Sequence, residues 1–389
     1  MLRTLAVEGY RSLRRLVVPL EQVTVVTGPN GTGKSSLYRA LRLLAASGRD
    51  GAVAALAQEG GLSSTLWAGP ETVAKAGMPT QGTVRKGPVA LRLGFAGDGF
   101  GYAIDFGLPK VDPGSTAFVR DPEIKVEVAW SGPVLRPGTM LSERRGGMVR
   151  LRDSSATGGG SDWTVFERQL PPWASMLSEV GDPALAPELL ALRDELRTWR
   201  FYDHVRTDEA APARGSVVGT RTPVLAADGS DLAAALQTIL EQGSGDVLHG
   251  AIDRALPGSR IDIEDRGGLF ALVLRQPGLL RPLEAAELSD GTLRYLLWVA
   301  ALLSERPAEL LVLNEPETSL HPSLLEPLGE LITRAAERSQ LIVVSHSAPL
   351  VSALASRGSL VHELAKRDGE TVLAGQRALD EPLWHWPSR

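Results

Sequence analysis

"VTVVTGPNGTGKSSLYRALRLLAAS", residues 23–47, decides how the rest of the chain is read. The β-branched run from Val23 to Thr27 has the composition of a buried strand. It passes through a turn carrying Gly28, Gly31 and Gly33, and then into Leu37, Ala40, Leu41 and Leu44, whose spacing puts them on one helix face. Strand, glycine turn and helix therefore frame Gly28-x-x-x-x-Gly33-Lys34-Ser35, the spacing of a phosphate-binding loop. Small residues let successive backbone N–H groups wrap an anion at the start of the helix. Lys34 then reaches the β- and γ-phosphate oxygens, and Ser35 offers a hydroxyl to Mg²⁺. Asn30, Gly31, Gly33, Lys34, Ser35 and Ser36 are the candidate binding positions for a nucleoside triphosphate. A glycine-rich turn with an incidental lysine is the competing reading, and it leaves the strand-to-helix context unexplained.

With 389 residues and 43% apolar content the chain can bury one large core or two. Cysteine is absent, which excludes disulfides, thiolate catalysis and cysteine-based metal sites, and suits a reducing compartment. The first 20 residues alternate apolar and polar side chains, unlike the continuous apolar stretch of a secretion signal. No run approaches the roughly 20 apolar residues of a membrane span, so the expectation is a cytoplasmic protein without membrane insertion. A formal charge of −5 argues against a nucleic-acid glove over the whole surface, while leaving room for a local basic groove.

Between about residues 82 and 130, "VALRLGFAG", "FGYAIDFGL" and "IKVEVAW" alternate and are punctuated by Gly, Pro and Asp, as antiparallel strands are. Residues 131–162, including "SERRGGMVRLRDSS" and "ATGGGSD", read as turn-rich. A helix is expected through about Trp199, with Leu189, Leu192 and Leu196 on one stripe. Another is expected in "SDLAAALQTILEQG", capped by Ser230 or Asp231 and ended by Gly243. Strands at "RIDIED" and "LFALVLRQ" lead into "LEAAELSDGTLRYLLWVAALLSERPAELLVLNEPE", a helix followed by a buried strand, and "QLIVVSHSAPLVSAL" repeats strand then helix. No coiled-coil heptad run and no internal repeat is present. The economical architecture is α/β, with a mixed, largely parallel sheet drawn from residues 1–80 and 281–389. A β-rich and helical lobe, residues 81–280, is inserted between them.

Five elements then follow one another in a fixed order. After the phosphate loop come Leu288-Ser289-Asp290-Gly291 at the start of an apolar helix, the strand leading to Asn314-Glu315-Pro316-Glu317, "TSLHP", and a second apolar strand ending at Ser345-His346. The set resembles ABC-type ATPases of the RecF/SMC-like group, with these elements in the places of Walker A, signature, Walker B, D-loop and His switch. The specific likeness covers about residues 1–45 and 284–350. It implies a P-loop NTPase fold of ABC type that hydrolyses ATP, using ATP and Mg²⁺, with two copies sandwiching two nucleotides. Ser289 and Gly291 would meet the γ-phosphate held by the other copy, Glu315 would polarise the attacking water, and His346 would contact the γ-phosphate.

Two positions depart from the family pattern. Asn314 stands where a carboxylate usually holds a Mg²⁺-bound water; its amide carbonyl can still accept from that water, but without the negative charge, so weaker Mg²⁺ affinity is expected. Asp290 replaces a glycine, and a carboxylate beside a γ-phosphate is unfavourable unless it points away as a helix cap. Capping alone is the plain alternative for Ser289, and a strand-to-helix turn before Pro322 is the alternative for Ser319, Leu320 and His321. Glu317, Ser345 and Ser347 read as local structural groups, with metal or catalytic involvement of Glu317 the alternative.

The resemblance also implies a glutamine that senses Mg²⁺: Gln169 is the candidate, with Gln58 and Gln81 as rivals. Arg11 could reach phosphates from the first hairpin or be an exposed cation, and the arginines at 144, 145, 150 and 152 could touch nucleic acid or line a solvated loop. The leading function is an ATPase whose ATP-driven dimerisation acts on DNA or a partner protein, in DNA repair or phage defence. A metal-dependent nuclease is one alternative. OLD-type proteins carry a Toprim nuclease domain after the ATPase, but only about 40 residues follow His346, so the acids Asp262, Glu264 and Asp265 would have to serve. Alternation in "RIDIED" fits a strand with an exposed acidic face instead. An ATP-gated binding module with negligible turnover is the other alternative.

Overall fold

The computed structural model describes residues 1–49, 51–71, 87–110, 114, 116–152, 163–203, 205–377 and 380–389. The chain divides into two compact units: Met1–Glu21, Gly28–Thr198 and Glu363–Arg389 form one, and Gln22–Thr27 with Trp199–His362 form the other. The phosphate loop begins at the seam in the chain, since the strand that feeds it belongs to the second unit and the loop itself to the first.

The first unit is built on an eight-stranded antiparallel sheet. Its strands are β1 (Leu2–Tyr10), β2 (Leu13–Pro19) and, after the second unit's β3 (Val23–Thr27), β4 (Leu91–Gly97), β5 (Phe100–Gly107), β6 (Glu123–Ser131), β7 (Met140–Arg145), β8 (Met148–Arg152) and β9 (Trp163–Val165). Helices α1 (Lys34–Ser47), α2 (Ala52–Gln58), α3 (Leu62–Thr65), α4 (Met176–Glu179) and α5 (Pro187–Thr198) accompany it. The stripe expected on α5 is buried, at Leu189, Leu192 and Leu196.

The stretch read as turn-rich, residues 131–162, contains two strands of this sheet, β7 and β8, paired from Ser142↔Leu151 to Arg145↔Met148 around Gly146 and Gly147. Three of its arginines, Arg144, Arg145 and Arg150, are in ion pairs. Arg144 is fully buried, with Nη1 3.0 Å from the equally buried Glu127. Glu127 also accepts from Tyr102 Oη, Ser175 Oγ and the Met176 N–H, while Arg144 donates to the carbonyls of Gly146, Pro171 and Ala174. Glu127 accepts four hydrogen bonds and Arg144 donates four of its five N–H groups, close to the full pairing under which a buried ion pair is tolerated. Arg145 and Arg150 both bind Glu143, and Arg152 donates to the carbonyls of Gly138 and Met140. These groups brace the sheet, and Arg145 and Arg150 do so while staying partly exposed. The segment "ATGGGSD" lies outside the described residues.

The second unit holds the parallel strands. Their order is β10 (Arg200–Tyr202), β15 (Leu310–Asn314), β16 (Gln340–Val344), β3, with β15 and β16 in register from Leu310↔Gln340 to Asn314↔Val344 and β16 and β3 from Leu341↔Val23 to Val344↔Val26. A small antiparallel group lies in the same unit: β11 (Val217–Val218), β12 (Arg260–Asp265), β13 (Leu269–Arg275) and β14 (Leu283–Glu284). The unit's helices are α6 (Leu232–Ile239), α7 (Gly245–Ala255), α8 (Asp290–Leu302), α9 (Leu325–Ala335) and α10 (Ala348–Ala355). Near-continuous apolar runs such as Leu310–Leu313 and Leu341–Val344 are buried, as parallel strands covered on both faces require. Asp231 precedes α6 and Gly243 lies past its end as expected: at φ 84° the glycine is non-helical and parts this helical course from α7. The last strands, β17 (Leu360–Arg367) and β18 (Glu370–Leu373), pair antiparallel from Leu364↔Leu373 to Arg367↔Glu370 in the first unit.

Candidate functional site

The phosphate loop is a strained turn that only small residues fit. Gly28, Gly31 and Gly33 have φ of 140°, 80° and 105°, values that a side chain disfavours. A Cβ on Gly33 would lie 2.4 Å from Thr371 Oγ1, and one on Gly28 would lie 2.4 Å from the Leu364 carbonyl. The underside of the loop is thus braced by β17 and β18, with Thr371 Oγ1 donating to the Thr32 carbonyl at 2.7 Å and bonded to Ser12 Oγ at 2.8 Å. Gly31 faces open space. Lys34 is buried and its ammonium donates to the carbonyls of Gly28 at 2.6 Å and Pro29 at 3.1 Å, so the cation is held folded across the loop. Asn30 and Ser35 are exposed and Ser36 is half-buried on the first turn of α1.

In the second unit, β15 and β16 deliver three titratable groups to their carboxyl ends. Glu315 continues the ladder through its N–H to the Val344 carbonyl at 2.7 Å, but its φ is 49°. A non-glycine residue held left-handed is uncommon, and such positions concentrate where a side chain must be aimed for use. Its carboxylate is 41% exposed and lies 3.6 Å from His346 Nδ1. Glu317 is buried. Its Oε1 accepts from Ser345 Oγ at 2.7 Å and from the N–H groups of His346 and Ser347 at 2.9 and 3.2 Å, and it stands 3.3 Å from His346 Nδ1. Glu317 therefore pins the turn that carries His346. Ser345 completes the pin by accepting from the Ser347 N–H at 3.1 Å.

Two acceptors at this strand end are buried with no donor, Asn314 Oδ1 and Glu317 Oε2. A buried acceptor without a donor is unusual and calls for water or a hydrated ion. An orphaned amide carbonyl fits a contact to a metal-bound water, which supplies the missing hydrogen. Among the described residues no three His, Asp or Glu side chains converge as a metal cage. An ion such as Mg²⁺, which keeps most of its waters and takes few protein ligands, suits a single amide carbonyl of this kind.

The stretch Leu288–Gly291 leads into α8. Ser289 caps α8, accepting from the Thr292 N–H at 3.2 Å, and is exposed. Further along, Trp298 is buried and donates its indole N–H to the Pro316 carbonyl at 2.9 Å, tying α8 to the residue after Glu315. A Cβ on Gly291 would lie 2.8 Å from the Ser319 carbonyl, so the helix start and the "TSLHP" turn approach too closely for any other residue. Ser319 itself sits at φ 63°, and His321 Nδ1 accepts from the Ser323 N–H. Asp290 does not cap the helix. Its carboxylate binds the guanidinium of Arg214 at 2.7 Å, a partner 76 residues away.

Gln169 is exposed in the segment between β9 and α4, beside Gly147; Gln58 is the exposed last residue of α2, and Gln81 lies outside the described residues. Arg11, at φ 49°, is ion-paired to Glu59 at 2.7 Å, and that carboxylate also accepts from Tyr10 Oη. Burial, and then the neighbouring Glu59, push the Tyr10 hydroxyl well above its usual range. Asp262 is bound to Arg275, Glu264 to Arg266, and Asp265 accepts from the Gly268 N–H, so β12 carries a compensated acidic face. No helix among the described residues is long and apolar enough to cross a membrane.

Solved structures similar to the chain include an SMC head bound to the C-terminal winged-helix domain of ScpA, at 12% identity, 96% coverage of each chain and a TM-score of 0.48. An SMC head domain from Thermotoga maritima has 14% identity, covers 97% of this chain and 99% of its own, and has a TM-score of 0.43. An SMC head with an extended coiled coil, bound to the C-terminal domain of ScpA from Pyrococcus furiosus, has 11% identity, 96% and 95% coverage and a TM-score of 0.48. Among curated proteins none matches the sequence. A family model described as "AAA domain, putative AbiEii toxin, Type IV TA system" matches residues 23–107 and 178–353, more than half of the chain, which therefore belongs to that AAA family.

Proposed function

We propose that the protein binds ATP with Mg²⁺ and hydrolyses it in pockets shared by two copies of the chain. The observation that carries this reading is Glu315: a carboxylate in a left-handed backbone, half-exposed at a strand end, with His346 held 3.6 Å away by a buried Glu317. Asn30, Gly31, Gly33, Lys34, Ser35 and Ser36 would cradle the triphosphate, and Ser289 and Gly291 of the second copy would cap it through the positive end of α8. Glu315 would orient and deprotonate the attacking water, and His346 would contact the γ-phosphate. Mg²⁺, when bound, neutralises charge on the β- and γ-phosphates. Hydrolysis would depend on dimerisation, since each copy lacks its phosphate cap until the other supplies it. Closure on ATP and release after hydrolysis would be transmitted to DNA or a partner protein, a cycle suited to DNA repair or to defence against phage. Gln169 stays the candidate Mg²⁺ sensor, and a cytoplasmic setting is part of the proposal.

A second reading, an ATP-gated module with negligible turnover, is favoured by the neutral side chain at Asn314. Purified protein given Mg²⁺ and either ATP or plasmid DNA separates the classes: phosphate release supports the ATPase, nucleotide retention without release supports the gated module, and strand cleavage supports a nuclease. Asn314→Asp restores a charge beside an orphaned acceptor site. It is expected to tighten Mn²⁺ binding in the presence of a non-hydrolysable ATP analogue by about tenfold, read by electron paramagnetic resonance. An unchanged Mn²⁺ affinity would remove residue 314 from the metal site.

A further inference from the structure

An acid at the mouth of a phosphate-capping helix needs an explanation. At the first residue of α8 a carboxylate favours the helix by itself, since it faces the positive end of the dipole. It also opposes the anion that the proposed pocket must receive, because like charges a few ångströms apart repel by kilocalories unless something neutralises one of them. Asp290 is 57% exposed on its side chain, so burial does not remove it from the approach.

Arg214 is what neutralises it. Its guanidinium is only 10% exposed and makes contacts on two sides: Nη2 to Asp290 Oδ1 at 2.7 Å and to the Thr207 carbonyl at 2.8 Å, Nη1 to the carbonyls of Leu288 at 2.7 Å and of Ala285 and Ala286 at 3.2 Å. Nε donates to the carbonyls of Thr207 and Asp208 at 3.0 Å. The same planar cation thus fixes the turn just before Ser289 and cancels the charge just after it, a task suited to the rigid five-donor fork of arginine.

We propose that Arg214 is a positioning residue of the signature turn, whose pairing with Asp290 keeps the start of α8 receptive to a triphosphate. This rests on the shared-pocket reading above. A brace that held only the carbonyls would be indifferent to residue 290; a neutralising partner is coupled to it. The coupling is measurable in a Glu315→Gln parent by light scattering, as the ATP concentration giving half-maximal dimer. Arg214→Gln is expected to raise that concentration by roughly tenfold, and adding Asp290→Asn should bring it back to within about threefold of the parent. Asp290→Asn alone, which leaves the arginine intact and tests the idea even if Arg214→Gln folds poorly, should lower the ATP requirement. Equal impairment of Arg214→Gln with and without Asp290→Asn, or an unchanged requirement in Asp290→Asn, would overturn the neutralising role. A parent that never dimerises at any ATP concentration would instead sink the shared pocket itself.

Discussion

Glu315→Gln is expected to reduce ATP turnover by about 10²- to 10⁴-fold, the usual contribution of a positioned general base, while leaving ATP affinity within a few fold. The amide keeps the size of the side chain and one acceptor oxygen, so the turn joined to β16 by the Glu315 N–H and the Val344 carbonyl has no reason to rearrange. What disappears is the anion 3.6 Å from His346 Nδ1. Single-turnover phosphate release, beside equilibrium binding of a fluorescent ATP analogue, separates the two effects. A variant that turns over within tenfold of the parent would take the proton-accepting role from Glu315. The left-handed φ of 49° would then lack a catalytic explanation.

Lys34→Ala acts one step earlier. The ammonium donates to the carbonyls of Gly28 and Pro29 from a buried position, where a charge-assisted bond to a triphosphate is worth more than one made in water. Removing one partner of a desolvated charged contact costs about 3 kcal/mol or more, on the order of a hundredfold in Kd. Calorimetric titration with ATP should therefore show binding weakened by that factor, and turnover should vanish at ATP levels that saturate the parent. The Thr371, Ser12 and Thr32 braces beneath the loop do not involve the lysine, so the thermal unfolding midpoint should move little. ATP affinity that survives the change would place the nucleotide elsewhere.

The parts legible in the sequence were those whose constraints are local. A glycine that must adopt positive φ, a serine that caps a helix and an apolar strand that feeds a turn each leave a mark within a few residues, and β3, α1, α8, β15 and β16 formed where their patterns put them. Contacts between distant residues left none. The pin from Glu317 to the Ser345–Ser347 turn spans 28 to 30 residues, and Arg214 meets Asp290 across 76. Arg144 could not be told from a solvated cation without Glu127, Ala174 and Pro171 closing around it, and "SERRGGMVRLR" hid two strands because its charges are paired across the ladder. Gly243, at φ 84°, is by contrast a local mark: it parts the helical course that begins at Leu232 from α7.

The shared pocket is tested most directly by mixing two inactive proteins. Lys34→Ala spoils the phosphate loop and Ser289→Arg blocks the start of α8, so each protein alone has no intact pocket. A mixed pair has one, made from the lysine of the second protein and the serine of the first. ATP hydrolysis that appears on mixing, and rises with the fraction of mixed pairs, is the predicted result. A mixture as inactive as its components, with both proteins folded, or a Ser289→Arg protein that hydrolyses ATP at the parent's rate by itself, would contradict the account.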